Sequence, residues 1–492
     1  RERARVNTYD GPVSDAGTIE RARGALRSHD FRRLFGVRLV SQFADGLFQA
    51  ALIASVVFSP ENQSTTVGLF KATLMVSLPY SILGPFVGVF IDRWSRRRIL
   101  VLAPWVRTAT VLLVLFDPVR QAAPFFAGAL IVLSVNRFFL ATAQAVVPRL
   151  VPGEDLLIAN SMATVGGTVA LLAGVYVGGQ VADAFGSVGI VLASGGLWLV
   201  ASLIASRIRS DLAPHAILED PDLLRHEVRR VLAEFRDGIG RLGRTPRAIG
   251  PITSITLDQI GQGVILTLSL VVFRDRFREG VGSFSNVLGA GGLGVLLGIV
   301  TVGALEDRFA KERIVAGAFL AGGFVLLAVS LYVTGASILL ASFAVGITFA
   351  WKKIPVDTMV QESLPDGYRG RVFAVYDVAY NLSRLAAAAL AIPLFPLLGE
   401  AGTVAAVGVV FVAWTPVLPR WVGRVPGIDL RFSDGAEEPT AIVWGGVEES
   451  VQVRRAWERD GRRCFRLRLA DGSEVEVSGH PGQWRRDGET SD

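Results

Sequence analysis

Two carboxylates interrupt long apolar stretches of the chain, and each is followed one helical turn later by an amide: Asp45 and Gln49 in DGLFQ, Asp258 and Gln262 in DQIGQ. A charge at the middle of a membrane-spanning helix costs about 2.5–3.5 kcal/mol on insertion scales, so such a residue is usually kept for a task. Two tasks suit an acid in that place. It exchanges a proton, or contacts a substrate, as its helix is exposed to one side of the membrane and then the other; alternatively, it forms a buried ion pair that fastens one helix to another. For Asp45 the candidate counter-charges are Arg107 and Arg137, which serve equally as ligands for an anionic substrate, and the sequence leaves these readings open. Lys352, Lys353, Asp357, Asp377 and Arg384 fall nearer the expected cytoplasmic half, where a gate is the better reading.

The elements that must position these residues follow from composition. Of 492 residues 51% are hydrophobic and 19% charged, and mean hydropathy is +0.45, a balance foreign to soluble domains. The apolar residues gather in blocks of roughly 20, the length that crosses ~30 Å of hydrocarbon. Twelve blocks are expected, near 34–58, 66–91, 99–116, 123–147, 157–182, 187–206, 249–273, 281–305, 313–333, 336–358, 371–396 and 401–418. Asp45 lies about eleven residues into the first, or ~17 Å, which is close to mid-bilayer. Asp258 has the related depth in the seventh.

Basic residues orient the chain. With the N-terminus inside, the cytoplasmic segments hold Arg21 to Arg33, the cluster Arg93 to Arg98, the basic stretch 207–248, and Arg308, Lys311 and Arg313. The opposite loops SPENQST, DAFGS, TGAS and LGEAG hold none, and only RDRFREG at 274–280 departs from the rule. Residues 1–30 are polar and Arg-rich, with no apolar signal-like run. Cys464 is the single cysteine, and the four histidines lie outside the blocks without a second ligand at metal spacing, so the sequence offers no metal site, cofactor or catalytic constellation. The basic pI fits a membrane protein's Arg distribution better than nucleic acid.

The loop after the second block recurs. GVFIDRWSRRRI at 88–99 aligns with GALEDRFAKERI at 303–314, matching Gly88 with Gly303, Asp92 with Asp307, Arg93 with Arg308 and Arg96 with Lys311. With the two D-x-x-x-Q pairs at nearly the same offset, this predicts a duplication of six helices. In the loop, glycine permits close helix approach, Asp92 suits a neighbouring helix N-terminus, and the arginines suit pairing across the two halves.

On these residues the chain resembles the major facilitator superfamily over roughly 30–420. The family's loop signature G-x-L-a-D-r-x-G-r-k-x-x-l is met by Gly88, Asp92, Arg93, Arg96, Arg97 and Leu100, with Phe90 and Ser95 departing. The fourth-helix signature is met in part, since Arg137 is followed by Leu140 and Ala141, with Gln144 later. The fifth-helix G-P-x-x-G-G of proton-coupled exporters appears as GVYVGG, retaining Gly174, Gly178 and Gly179 for close packing but placing Val175 where a helix-bending proline would stand. SQFADGLFQAAL, PRLVPGEDLLIANS and PDGYRGRVFAV resemble segments of bacterial drug and siderophore exporters of that superfamily. The resemblance implies that Gly88, Asp92, Arg93, Arg96, Arg97, Gly303, Asp307, Arg308 and Lys311 form a conformational latch, and that helices one and seven line a central cavity.

The expected fold is an all-α membrane protein of twelve helices in two six-helix repeats, with a small cytoplasmic antiparallel β domain appended. The expected divisions are a polar segment 1–30, a bundle 31–206, a linker 207–248, a bundle 249–420 and the β domain 427–492. In the linker, Leu224, Val228, Val231, Leu232, Phe235 and Ile239 recur at helical spacing, marking an amphipathic connector or a helix lying on the inner leaflet. In the tail, the alternation of SVQVRRAW and RCFRLRLA, with turns at Asp460-Gly461 and Asp471-Gly472, predicts β hairpins.

The expected function is proton-coupled efflux of an amphiphilic or lipophilic small molecule by alternating access, in the bacterial cytoplasmic membrane with both termini inside. Import or lipid handling by the same fold, or a non-transporting sensor signalling through the β domain, are the alternatives. The partners are the substrate, protons and the bilayer, without nucleic acid or cofactor. The sequence does not fix the oligomeric state, and a monomer suffices.

Overall fold

The computed structural model describes residues 15–57, 95–115, 123–210, 221–364, 366–424, 428–433, 437–444, 447–459, 461–469, 474–480 and 483–486. Its helices are α1 (Asp15–Arg27), α2 (His29–Val57), α3 (Arg96–Leu115), α4 (Ala123–Val146), α5 (Leu156–Ser206), α6 (Pro221–Gly243), α7 (Pro246–Val271), α8 (Val281–Glu306), α9 (Lys311–Leu331), α10 (Gly335–Glu362), α11 (Asp366–Trp414) and α12 (Val417–Arg424). The second expected span, 66–91, lies outside the described residues.

Among the described residues, eight helical segments are long and apolar enough to cross a membrane: Pro124–Arg149, Ile158–Ala182, Ala184–Ser206, Pro246–Arg276, Val281–Glu306, Lys311–Leu331, Gly335–Glu362 and Tyr368–Val422. Their surfaces carry large apolar side chains with nothing of the protein over them, such as Val300 (79% exposed), Leu340 (71%) and Leu397 (77%). Outward aliphatic residues on helices that are also apolar inward suit a lipid solvent. The helices α2 and α3 correspond to the first and third expected spans. Buried arginines and an aspartate dilute their hydropathy.

Two continuous helices each contain two spans. In α5 the backbone breaks at Gly186 (φ 65°), and in α11 at Gly399 (φ 66°). A side chain is strained in that left-handed conformation, so glycine makes each tight reversal. These glycines are 213 residues apart, as are Asp45 and Asp258, which adds a backbone feature to the duplication.

The described residues form two compact units, one holding α1, α2 to Leu52 and α3–α5, the other α6–α12 and the sheet. In the first unit α2 and α5 approach until backbones touch. A Cβ on Gly46 would lie 2.2 Å from the Leu171 carbonyl oxygen, and one on Gly174 would lie 2.1 Å from that of Phe43. In the second, Phe284, Phe319, Val356, Tyr376 and Phe411 belong to one core that joins α8, α9, α10 and both arms of α11. The loop that broke the charge rule is neutralised locally, with Arg274 paired to Asp275 and Arg276 to Glu400 at 2.6 Å.

The tail forms the expected antiparallel sheet. Its seven strands are β1 (Ile428–Phe432), β2 (Pro439–Trp444), β3 (Val447–Ser450), β4 (Gln452–Arg459), β5 (Arg462–Arg468), β6 (Glu474–His480) and β7 (Gln483–Arg486), in the order β3-β2-β1-β7-β6-β5-β4. Arg459 pairs with Arg462 across a tight hairpin in which Gly461 takes φ 72°. Leu430, Ile442, Phe465, Leu467, Val477 and Trp484 make its core, one face of the alternation read in the sequence. Glu449 of β3 forms an ion pair with Arg241 of α6, whose guanidinium also lies 4.7 Å over the Tyr368 ring of α11. In α6, Leu232 and Ile239 are exposed, while Gly238 and Arg241 are buried. On the same side as Gly238 and Arg241, Val231, Phe235 and Leu242 are half-buried, so the covered face of this connector takes in part of the apolar stripe.

Candidate functional site

In the first unit Asp45 of α2 meets Arg107 of α3. Arg107 Nη1 donates to Asp45 Oδ1 at 2.7 Å and to Asn136 Oδ1 of α4 at 3.2 Å, while Nη2 donates to the Ser41 hydroxyl at 2.9 Å. The Trp198 indole N–H, from the second arm of α5, donates to the same Asp45 oxygen at 2.9 Å. The guanidinium lies 4.8 Å from the Phe139 ring and 5.0 Å from that of Trp198. Side-chain exposure is 0% for Arg107 and 4% for Asp45, so water does not screen the pair. Four spans thus converge on one guanidinium, whose planar fork suits several acceptors at once.

In the second unit Asp258 of α7 meets Lys352 of α10, and both side chains are 0% exposed. The Lys352 ammonium donates to Asp258 Oδ1, and the Gln262 amide donates to Oδ2 at 2.5 Å. The ammonium also faces two aromatic rings, Phe319 at 4.8 Å and Phe411 at 4.7 Å, an arrangement that favours a cation in a dry site. Alongside runs a second polar chain. Lys353 donates to both Asp357 oxygens at 2.6 and 2.5 Å, and the Tyr376 hydroxyl donates to Asp357 at 2.8 Å. Lys353 faces the Tyr380 ring at 5.6 Å, Arg384 faces the same ring at 5.7 Å, and Arg384 Nε reaches Gln259 Oε1 at 3.5 Å.

The predicted residues are therefore brought together unequally. Asp45 joins Arg107, which is the ion-pair arrangement, and Asp258 joins Gln262. Gln49 is half-buried, and the bonds to the Asp45–Arg107 pair come from Ser41, Asn136 and Trp198. Gly178 also sits against α2, where a Cβ would lie 2.8 Å from that of Ala50, and Gly179 is buried. Trp198, Asn136, Ser41, Phe319 and Phe411 were not read from the sequence, because polar and aromatic residues are ordinary in apolar helices. Lys352, a gate residue on the sequence alone, is the cation buried against Asp258. One signal marked it: it follows Arg137 by 215 residues, as Asp307 follows Asp92.

Of the expected latch, Gly88, Asp92 and Arg93 lie outside the described residues. Arg96 is half-buried, and Arg97 donates to the Ser206 carbonyl at 2.8 Å, tying the start of α3 to the end of α5. Gly303, Asp307 and Arg308 are exposed, and Lys311 pairs with Glu362 at the end of α10. A pocket of about 290 Å³ opens there, lined by Arg247, Glu306, Lys311, Glu312, Met359 and Glu362 among others. Just before the first span, burial pushes the Asp30 carboxyl up. The Ser210 hydroxyl, the Arg33 guanidinium and the backbone N–H groups of Ser210 and Arg209 outweigh that and hold it at about 2.

Buried ion pairs inside long apolar helices, on a chain whose features recur at offsets of 213 and 215 residues, define a multi-pass membrane transporter built by duplication. The Major Facilitator Superfamily profile matches residues 34–388, and the chain belongs to that family. It is 30% identical over 391 residues to an uncharacterised MFS-type transporter of Mycobacterium tuberculosis, covering 76% of this chain and 88% of that one. Over 129 residues, 26% of this chain and 31% of the other, it is 29% identical to macrolide efflux protein A of Streptococcus pyogenes. Among solved structures, a peptide transporter of the POT family superposes with a TM-score of 0.63 at 11% identity, covering 79% of this chain and 95% of that one. The nucleoside transporter NupG superposes with 0.59 at 12% identity, covering 80% and 99%. At these identities the shared property is the fold.

Proposed function

We propose that the protein exports an amphiphilic or lipophilic small molecule across a bacterial cytoplasmic membrane, driven by the proton gradient through alternating access. The observation that carries the coupling is a carboxylate buried inside a span against one cation, present in each half, since a change of one proton at such a pair alters the cost of exposing that helix to either side. Export, rather than import, is supported by the local similarity to a macrolide efflux protein. A lipophilic cargo fits spans whose polar groups are concentrated in two clusters and are otherwise aliphatic and aromatic. The assigned residues are Asp45, Arg107, Arg137 and Gln49 in the first half, and Asp258 and Gln262 in the second. The repeated loops act as a latch on the conformational change.

The test is transport in proteoliposomes with erythromycin as probe. The proposal expects erythromycin to accumulate against its gradient when a pH gradient of the right sign is imposed, and accumulation to collapse when a protonophore is added. Accumulation indifferent to the pH gradient contradicts proton coupling, and passive equilibration in every condition contradicts export of this class of compound.

A further inference from the structure

The two buried pairs differ in one chemical respect. The cation facing Asp45 is an arginine, which does not deprotonate in proteins, whereas the cation facing Asp258 is a lysine, which releases its proton when its surroundings disfavour the charge. The difference is not a default of composition. Only four of the fifty basic residues are lysines, at 71, 311, 352 and 353, and two of them stand next to one another at this site. The fully buried Lys352 has a proton acceptor in contact, Asp258 Oδ1, and the opposite oxygen of that acceptor is already engaged by Gln262. The carboxyl therefore meets the lysine through a fixed oxygen.

Resting on the proton-coupled reading above, we propose that Lys352 carries the transported proton, Asp258 relays it, and the Asp45–Arg107 pair keeps its charges throughout. The steps conserve protons and charge. Lys352 Nζ gives one proton to Asp258 Oδ1, leaving a neutral amine and a neutral carboxylic acid. Asp258 then releases that proton to water on one side of the membrane, so the pair holds one negative charge. Uptake of one proton from the other side restores the ammonium and carboxylate.

The neutral intermediate matters physically. With both charges quenched, α7 and α10 separate without leaving an ion in hydrocarbon, which an arginine in the same place forbids. On return, the Phe319 and Phe411 faces stabilise the recharged ammonium.

The other groups around the pair leave this assignment intact. On α7 they are Gln259 and Gln262, neither of which titrates. On α11 they are Tyr376, Tyr380 and Arg384, with Tyr376 held by Asp357 and Arg384 directed to Gln259. On α9 and the second arm of α11 they are Phe319 and Phe411. The nearest charges on α10 itself, Lys353 and Asp357, neutralise one another.

The experiment exploits the scarcity of lysine. Protein labelled with [15N]lysine in lipid nanodiscs gives ζ-nitrogen signals from four lysines at most, assigned by replacing each lysine with arginine. An amine signal in addition to the ammonium one is expected for Lys352. In proteoliposomes, Lys352→Arg is expected to lose gradient-driven erythromycin accumulation at least about tenfold while unfolding at the wild-type temperature in detergent.

A Lys352 nitrogen that gives no amine signal, or a Lys352→Arg protein that still accumulates erythromycin under a pH gradient, overturns the assignment. Wild-type protein that fails to accumulate erythromycin contradicts the transport reading instead, and the nitrogen signal still decides the lysine.

Discussion

Asp45 and Asp258 hold related positions in a duplicated sequence, yet their counter-charges come from helices that the duplication does not relate. In the first unit the cation is Arg107 of the third span, and in the second it is Lys352 of the tenth. At the 213-residue offset of the two acids the first-half position matching Lys352 is Phe139, and at the 215-residue offset of the loops it is Arg137. Each half has therefore solved the same electrostatic problem with a different helix. The first solution ties four spans to one guanidinium, with Ser41, Asn136 and Trp198 supplying the remaining bonds. The second ties two spans through a point charge and surrounds it with aromatic rings. A many-partner arginine resists rearrangement because every partner must be satisfied again, whereas a lysine with one oxygen partner is released by one proton. The duplication supplied two acids, and the proposal makes one a fastening and the other a moving part.

The largest expected effect tests the fastening. Asp45→Ala leaves a buried guanidinium without its carboxylate and should destabilise the protein by about 3–5 kcal/mol, read as a lowered unfolding temperature and poor monodispersity in detergent. Adding Arg107→Leu should recover most of that loss. If Asp45→Ala unfolds at the wild-type temperature, the comparison fails on its structural side. The corresponding change in the other half, Asp258→Asn, should cost less, about 1–3 kcal/mol, because the Lys352 ammonium keeps its contacts with the Phe319 and Phe411 rings. Equal losses in the two halves would show that the cations are interchangeable.

A smaller effect concerns the entry to the first span. The Asp30 carboxylate is more acidic in the folded protein, about 2 against an ordinary 3.8, so its stabilising contribution is complete above pH 3.8 and is lost as pH falls toward 2. Thermal unfolding of wild type and Asp30→Asn should differ at pH 5 and converge as pH falls through that window. A constant difference down to pH 2 would remove the Ser210 junction as its source.

Much of this architecture was legible in the chain. Among the described residues, the apolar blocks match the helices to within a few residues, and the two D-x-x-x-Q pairs located both buried acids. The reversals at Gly186 and Gly399 were legible as gaps between blocks, though not as breaks in a continuous helix. The pairing was not legible. Hydropathy places a charge at a depth along one helix, but the azimuth that decides whether Asp45 meets Arg107 or Arg137 depends on how neighbouring helices pack. Gln49 and Gln262 show the same limit: each lies one turn from its acid, yet only Gln262 bonds to it. The connector helix α6 was legible as amphipathic, but the ion pair of Arg241 with Glu449 joins residues 208 apart, beyond any local pattern.

The smallest expected effect tests that junction. Cutting after Gly427 removes Glu449 and should leave a correctly inserted protein, since the spans satisfy their own backbone, with a stability loss of about 1–3 kcal/mol for the unmatched Arg241. Membrane yield and detergent monodispersity measure it, and loss of both would make the sheet part of the fold's foundation. Asp307→Asn should likewise leave the fold intact while shifting the balance of inward- and outward-open states, read by accessibility labelling from both faces. Unchanged labelling would take Asp307 out of the latch.

The central claim is that a change of protonation within the second half drives transport while the first half keeps its charges. Its most direct measurement is erythromycin-dependent proton movement into proteoliposomes, followed with a trapped pH indicator, for wild type, Asp258→Asn and the double variant Asp45→Asn with Arg107→Leu. The account predicts proton movement in the wild type and in the double variant, and none in Asp258→Asn. Proton movement that survives in Asp258→Asn and disappears in the double variant would contradict it and return the coupling role to Asp45.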